Sequence, residues 1–160
     1  MSFIKAKEHL IKYGYEKNII KFNVSSATVK EASIALNCEE GMIAKTLSFL
    51  VKNKAILIVI EGSYKIDNSK YKKEFGCKAK MIDYVNVEAI IGHKAGGVCP
   101  FGINENIEVY LDIISKHFSF GIQEYANTKS YSKNSISHIK TSECKVFKYQ
   151  CSLFSNASGT

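Results

Sequence analysis

Apolar positions in the first half of the chain follow two periods in turn. Phe3, Ala6, Leu10 and Ile11 recur at helical spacing, which predicts a helix from Phe3 to Tyr15 with Gly14 at its end or at a turn just before it. Thr28-Val29-Lys30-Glu31 has the form of a capping box: the Thr28 hydroxyl accepts from the Glu31 amide while the Glu31 carboxylate reaches back. Val29, Ala32 and Leu36 then make the buried stripe of a helix reaching Asn37. From Ile43 to Val51 the period changes to two, as in a strand. Lys52-Asn53-Lys54 turns the chain into a second strand, Ala55 to Ile60, which is apolar on both faces and so belongs in the centre of a sheet. The pair predicts an antiparallel hairpin in the middle of that sheet.

Shorter elements follow. Asp67 caps a helix from Asn68 to Phe75 that Gly76 stops. Ala79 to Ile82 predicts a brief strand, and Asp83 stands at the cap of a helix carrying Val87, Ile90 and Ile91. The next segment, Gly92 to Gly102, holds four of the ten glycines and the only proline. Ile107, Val109, Leu111 and Ile113 alternate as a further strand. Beyond Gly121 the pattern fades into polar sequence, with a strand expected within Ser135–Lys140 and a short helix near Thr141–Phe147. Helices and strands in this order predict a single α+β domain with a mixed sheet, and 160 residues can bury one substantial core.

Composition narrows the functional classes. Apolar residues make up 46% and charged residues 23%, a globular balance. No apolar run approaches the ~20 residues of a bilayer-crossing helix, and the charged N-terminal stretch lacks the apolar centre of a signal peptide. A cytoplasmic location with no membrane partner is expected. Five cysteines, widely spread and without a C-x-x-C pair, argue against a disulfide framework and against a standard zinc site. His9, His117 and His138 likewise lack metal-ligand spacing. The net charge of +7 suits a polyanionic partner such as RNA, because binding phosphates releases condensed counterions. All the basic residues are lysines, which disfavours bidentate reading of bases.

Two places could carry chemistry. Lys45 shares strand parity with Leu47, Phe49 and Val51, so it points toward an apolar face. An ammonium there either lines a cleft that receives an anion or, if parity breaks near the strand start, stretches out to solvent. The second place is the Gly92–Gly102 loop, whose glycines let backbone approach a ligand and whose successive amides can hold an anion or a developing oxyanion. Pro100 fixes the backbone just after them. The loop fits neither the nucleotide-triphosphate loop nor the dinucleotide fingerprint. Around these places, Thr46 could touch a ribose or phosphate, His93 a ligand, and Asp112 a water or substrate amine. Cys99 could act as a thiol nucleophile, although no nearby His and acid form a relay.

Ala44-Lys45-Thr46-Leu47 with its hairpin, followed by Gly92-His93-Lys94-Ala95-Gly96-Gly97-Val98-Cys99-Pro100-Phe101-Gly102, closely resembles the YbaK-type family. This family comprises prolyl-tRNA editing domains and free-standing Cys-tRNA(Pro) or Ala-tRNA(Pro) deacylases. The resemblance is good over residues 25–115 and poor over 121–160. It implies a curved mixed sheet flanked by helices, and hydrolysis of the ester joining a wrong amino acid to tRNA, without metal or cofactor. It places Lys45 near the terminal nucleotide and wraps Gly96, Gly97, Val98, Cys99, Pro100 and Gly102 around the aminoacyl carbonyl. The resemblance makes Asn134 or Ser135 the counterpart of a polar or acidic residue that enters the next strand at a wall of the pocket, in a stretch from Tyr125 to Ile136 that lacks the family's glycine. The expected partners are the aminoacylated end of tRNA and a prolyl-tRNA synthetase. A non-catalytic module that binds a tRNA end or a nucleotide is the alternative within the same fold.

Overall fold

The computed structural model describes residues 2–19, 21–112 and 136–139. Helix α1 spans Ser2–Lys12, α2 Val29–Leu36, α3 Asn68–Phe75 and α4 Tyr84–Ile91, with single 3-10 turns at Glu16–Asn18 and Glu40–Met42. Strands β1 (Ala44–Val51), β2 (Lys54–Glu61), β3 (Glu108–Asp112) and β4 (Ile136–Ile139) form one sheet in that order. The β1–β2 and β3–β4 pairs are antiparallel and the β2–β3 pair is parallel. The sheet is therefore mixed and the fold α+β, as expected.

Local chemistry sets most of the boundaries. Thr28 accepts from the Glu31 amide at 3.1 Å and the Glu31 carboxylate returns to the Thr28 amide at 3.3 Å, completing the capping box. Asp67 accepts from the Ser69 and Lys70 amides, and Gly76 ends α3 at φ +69°. Lys52 and Asn53 both adopt left-handed backbone, the geometry that a tight hairpin between right-twisted strands requires.

Four expectations need correction. Helix α1 stops at Lys12, short of Tyr15, because Gly14 makes the expected turn in left-handed backbone and the Tyr15 amide folds back on the Leu10 carbonyl at 3.0 Å. Asp83 makes no side-chain cap; its backbone carbonyl takes the Asn86 amide instead. Ala79–Ile82 forms only an isolated bridge, Met81 beside Phe49, held by the Leu50 and Ile82 amides. This bridge lies on the outer side of β1, so the hairpin contributes a central β2 but an outer β1. The strand expected within Ser135–Lys140 is β4, whereas the helix expected near Thr141–Phe147 lies outside the described residues.

Every residue of β2 from Ile56 to Glu61 is buried, and alternate side chains enter two separate cores. Leu57 and Val59 join Ala6 and Leu10 of α1, Val87 and Ile91 of α4, Cys99, Phe101 and Val109. Ile56, Ile58 and Ile60 join Phe49 and Tyr71 on the other face, with Leu47, Val51 and Phe75 packed around them. At about 1.5–3 kcal/mol for each large apolar side chain fully buried, β2 is the main stabilising strand.

Tyr71 is the least economical member of the second core. Its ring packs at a tilt between Phe49, with centroids 5.3 Å apart, and Phe75, at 4.6 Å. Its hydroxyl is buried with no partner among the described residues, and burial, with Cys77 adding to it, pushes its pKa up to about 12. Tyr71→Phe keeps the ring contacts and removes the orphan hydroxyl, so thermal and denaturant unfolding should show equal or greater stability, by up to ~1–2 kcal/mol. A clear loss would mean that the hydroxyl has a partner.

Candidate active site

Lys45 sits second in β1, and its setting depends on two glycines. Gly62 follows β2, where its amide bonds the Ile43 carbonyl at 2.6 Å. A side chain at Gly62 would strike the Glu40 carbonyl and, at 2.6 Å, the Val29 side chain, so only glycine fits. The Gly62 carbonyl then accepts from Lys45 Nζ at 2.8 Å. Gly41 admits the buried Glu61 carboxylate in the same way, and that carboxylate also receives the Ser63 hydroxyl at 2.5 Å. Lys45 is half-buried. Its pKa is held below the ordinary lysine value, first by burial and then by repulsion from Lys65, with Glu40 opposing. One of its three N–H groups is engaged by Gly62, and among the described residues the other two have no hydrogen-bond partner.

The glycine loop is anchored at both ends. Helix α4 closes at Gly92, φ +91°, and Asn104 then ties down the helix's last carbonyls. Its side-chain amide donates to Ala89 and Ile90 at 3.1 and 3.0 Å, and its backbone amide to Ile91 at 2.9 Å. His93 is wholly buried, with Nε2 2.9 Å from the Phe101 carbonyl. A carbonyl can only accept, so the proton is on Nε2, and Nδ1 is a bare acceptor without a partner among the described residues. Burial is the main cause that keeps this imidazole below its ordinary pKa of 6.5, hence neutral at pH 7. Gly102, φ +62°, lies against the Lys5 carbonyl of α1 where a side chain would collide.

Between these anchors the predicted residues divide. Gly96, φ +84°, is exposed, with open space where a Cβ would be. The Gly97 amide is taken by the Lys94 carbonyl at 3.0 Å. The Gly96 and Val98 amides make no hydrogen bond among the described residues. Val98 packs half-buried on the first core, Pro100 is buried, and the buried Cys99 thiol points to the Phe101 carbonyl at 3.6 Å.

Strand parity sorts these residues between two faces. Lys45 pairs with Ile60 and faces the second core, whereas Thr46 pairs with Val59 and shares the face on which the loop packs. Ala44, next to Lys45, packs on the same core as Val98 and Ala95. The lysine and the loop thus belong to opposite faces of one sheet. Asp112 ends β3, paired with Ile136, and Asn134 lies outside the described residues. No group of three or more His, Cys, Asp or Glu side chains among the described residues could hold a metal ion. Sequence reading missed Gly41, Gly62 and Asn104, whose roles come from close backbone approach and carbonyl capping, neither of which has a period.

The geometry agrees with a family match. A match to the aminoacyl-tRNA editing domain family spans residues 24–130, which includes Lys45 and the whole glycine loop. The chain belongs to that family. An uncharacterized Bacillus subtilis protein, YwhH, is 41% identical over 119 residues, covering 74% of this chain and 76% of YwhH. The proline–tRNA ligase of Bacillus cytotoxicus is 28% identical over 85 residues, 52% of this chain but only 15% of the ligase. Among solved structures, a candidate trans-editing enzyme for prolyl tRNA synthetase superposes with a TM-score of 0.62 at 28% identity, over 69% of this chain and 71% of that one. The hypothetical protein APE2540 superposes at 0.60 with 24% identity, over 68% of this chain and 73% of its own, a likeness of fold.

In this editing domain the loop anchor has a pH signature. His93 has a depressed folded pKa, so the unfolded chain takes up its proton first, and the stability His93 contributes is present above pH 6.5 and lost as pH falls through the folded value. His9, also held low by burial and by Lys12, adds to the same acid slope. Denaturant titrations from pH 7.5 to 5 on wild type and His93→Gln isolate the His93 part. The wild type should lose more stability toward acid than the variant, and parallel profiles would mean that His93 is not buried and neutral.

Proposed function

We propose that the protein is a trans-editing aminoacyl-tRNA hydrolase that clears mischarged tRNA(Pro) carrying alanine or cysteine. The observation that carries this reading is the half-buried Lys45, held on the Gly62 carbonyl with two donors unspent among the described residues, in a chain of the editing family. The relation to a stretch of a proline–tRNA ligase supports the choice of tRNA(Pro).

The substrate's terminal adenosine lies at the start of β1. Lys45 meets a phosphate of the tRNA end from one face, and Thr46 meets the ribose from the other. The amides of Gly96 and Val98 donate to the aminoacyl carbonyl and to the oxyanion that forms on it, at ~2.7–4 kcal/mol for a well-placed donor. Water adds to the carbonyl, and its proton passes, directly or through the neighbouring hydroxyl of the terminal ribose, to the departing tRNA oxygen. The tetrahedral intermediate then expels the tRNA hydroxyl, and the products are the free amino acid and intact tRNA. An aminoacyl ester is labile, so positioning supplies much of the rate without metal or cofactor. The Gly97 amide, spent on Lys94, is a turn-former and not a donor. Cys99, aimed at a backbone carbonyl, serves packing in this scheme, as do the buried His93 and Pro100 beside it. We place the reaction in the cytoplasm, in a single domain spanning 1–160 that a prolyl-tRNA synthetase could supply with substrate; no described helix is long and apolar enough to cross a membrane.

Deacylation of Ala-tRNA(Pro) and Cys-tRNA(Pro) by wild type and Lys45→Met tests this. Wild type should hydrolyse at least one, and the variant should lose at least tenfold in kcat/KM while folding as stably or more so, because a partly desolvated ammonium has been removed. Wild-type activity should also fall at the alkaline end earlier than an ordinary lysine would allow, since Lys45 loses its proton at a lowered pKa. Full activity of Lys45→Met would refute the anchoring role. Binding without hydrolysis would favour the non-catalytic module.

A further inference from the structure

Residues 65–80 carry six lysines against Asp67 and Glu74, a net +4 of the chain's +7. Lys65, Lys70, Lys72, Lys73, Lys78 and Lys80 are all exposed. Helix α3 turns Tyr71 and Phe75 into the second core, on the sheet face that Lys45 also faces, and fans Lys70, Lys72 and Lys73 outward. The exposed Asp67 carboxylate is engaged by the Ser69 and Lys70 amides at the start of the helix. The run has a direction. Lys65 is near enough to Lys45 to lower its pKa, and the Lys80 carbonyl receives the Leu50 amide at the far end of β1. Between Lys45 and Leu50 the strand rises roughly 17 Å at ~3.4 Å per residue. The lysines therefore trace a line leading away from the anchoring lysine along one face of the molecule. In contrast, α4 carries Glu88 and, at its start, Asp83, with no lysine.

We propose that α3 and the segment to Lys80 form the docking surface for the phosphate backbone of the tRNA acceptor stem, continuing the path of the terminal nucleotide out of the Lys45 site. This rests on the editing reading and adds to it the surface that receives the RNA duplex. A line of ammonium groups without arginine suits phosphates as point charges and not the bidentate reading of bases. Stem binding through it is strongly salt-dependent and nearly indifferent to stem sequence.

The test compares wild type, the triple variant Lys70→Gln, Lys72→Gln, Lys73→Gln, and a control of equal charge loss on the N-terminal side, Lys12→Gln, Lys17→Gln, Lys21→Gln. Affinity for a deacylated acceptor-stem minihelix is measured from 50 to 300 mM KCl, and hydrolysis of mischarged tRNA in parallel. The α3 variant should lower the slope of log affinity on log salt by about 2 to 3, near 0.9 per lysine on a phosphate, while the control keeps the wild-type slope within about 1. Equal losses in both variants, or no loss in the α3 variant, would overturn the docking surface. A lowered slope with no hydrolysis by wild type would uphold the surface and count against the editing reaction alone.

Discussion

Strand β2 is the constraint on which the rest of the structure depends. From Ile56 to Glu61 it is buried on both faces, and its alternation divides the molecule into two cores, one under α1 and α4 and one under α3. Because side chains in a strand alternate without exception, pairing β1 to β2 fixes the face of every neighbouring residue at once. Lys45 is thereby committed to the α3 side and Thr46 to the side of the glycine loop. A one-residue slip would exchange them, which is why so much apolar area stands behind the register.

The candidate site is built less from reactive side chains than from held backbone. Gly62 brings a carbonyl to Lys45 at a spot too tight for any other residue. His93 and Asn104 hold the glycine loop by bonding its carbonyls and those of the helix before it, and Gly102 seats it against α1. Such economy suits a substrate whose ester is already reactive and needs orientation and a place for developing charge. The expense is visible in the partly desolvated lysine and in the Nδ1 of His93, which has no partner among the described residues.

Much of this was legible in the sequence where a local rule decides the outcome. The capping box at Thr28, the Asp67 cap and Gly76 stop of α3, the hairpin and the two-sided apolarity of β2 all follow from residues a few positions apart. The parity of Lys45 was legible too, although which helices cover which face was not, since that depends on contacts distant in sequence. Asp83 misled because a cap residue's presence does not oblige its side chain to bond. His93 reads in the sequence as a loop histidine free to meet a ligand; its bond to a carbonyl eight residues later appears only once the loop has closed.

The proposed reaction needs the phosphate anchor and the carbonyl donors to meet at the start of β1. The most direct measurement is a crystal structure with a non-hydrolysable alanyl-adenosine analogue, its ester replaced by an amide and its 5′ phosphate retained. The account predicts the phosphate within hydrogen-bond distance of Lys45 Nζ and the alanyl carbonyl facing the Val98 amide, with Lys45 still on the Gly62 carbonyl or released toward the ligand. An analogue bound elsewhere, or bound with its carbonyl away from the loop, would contradict it.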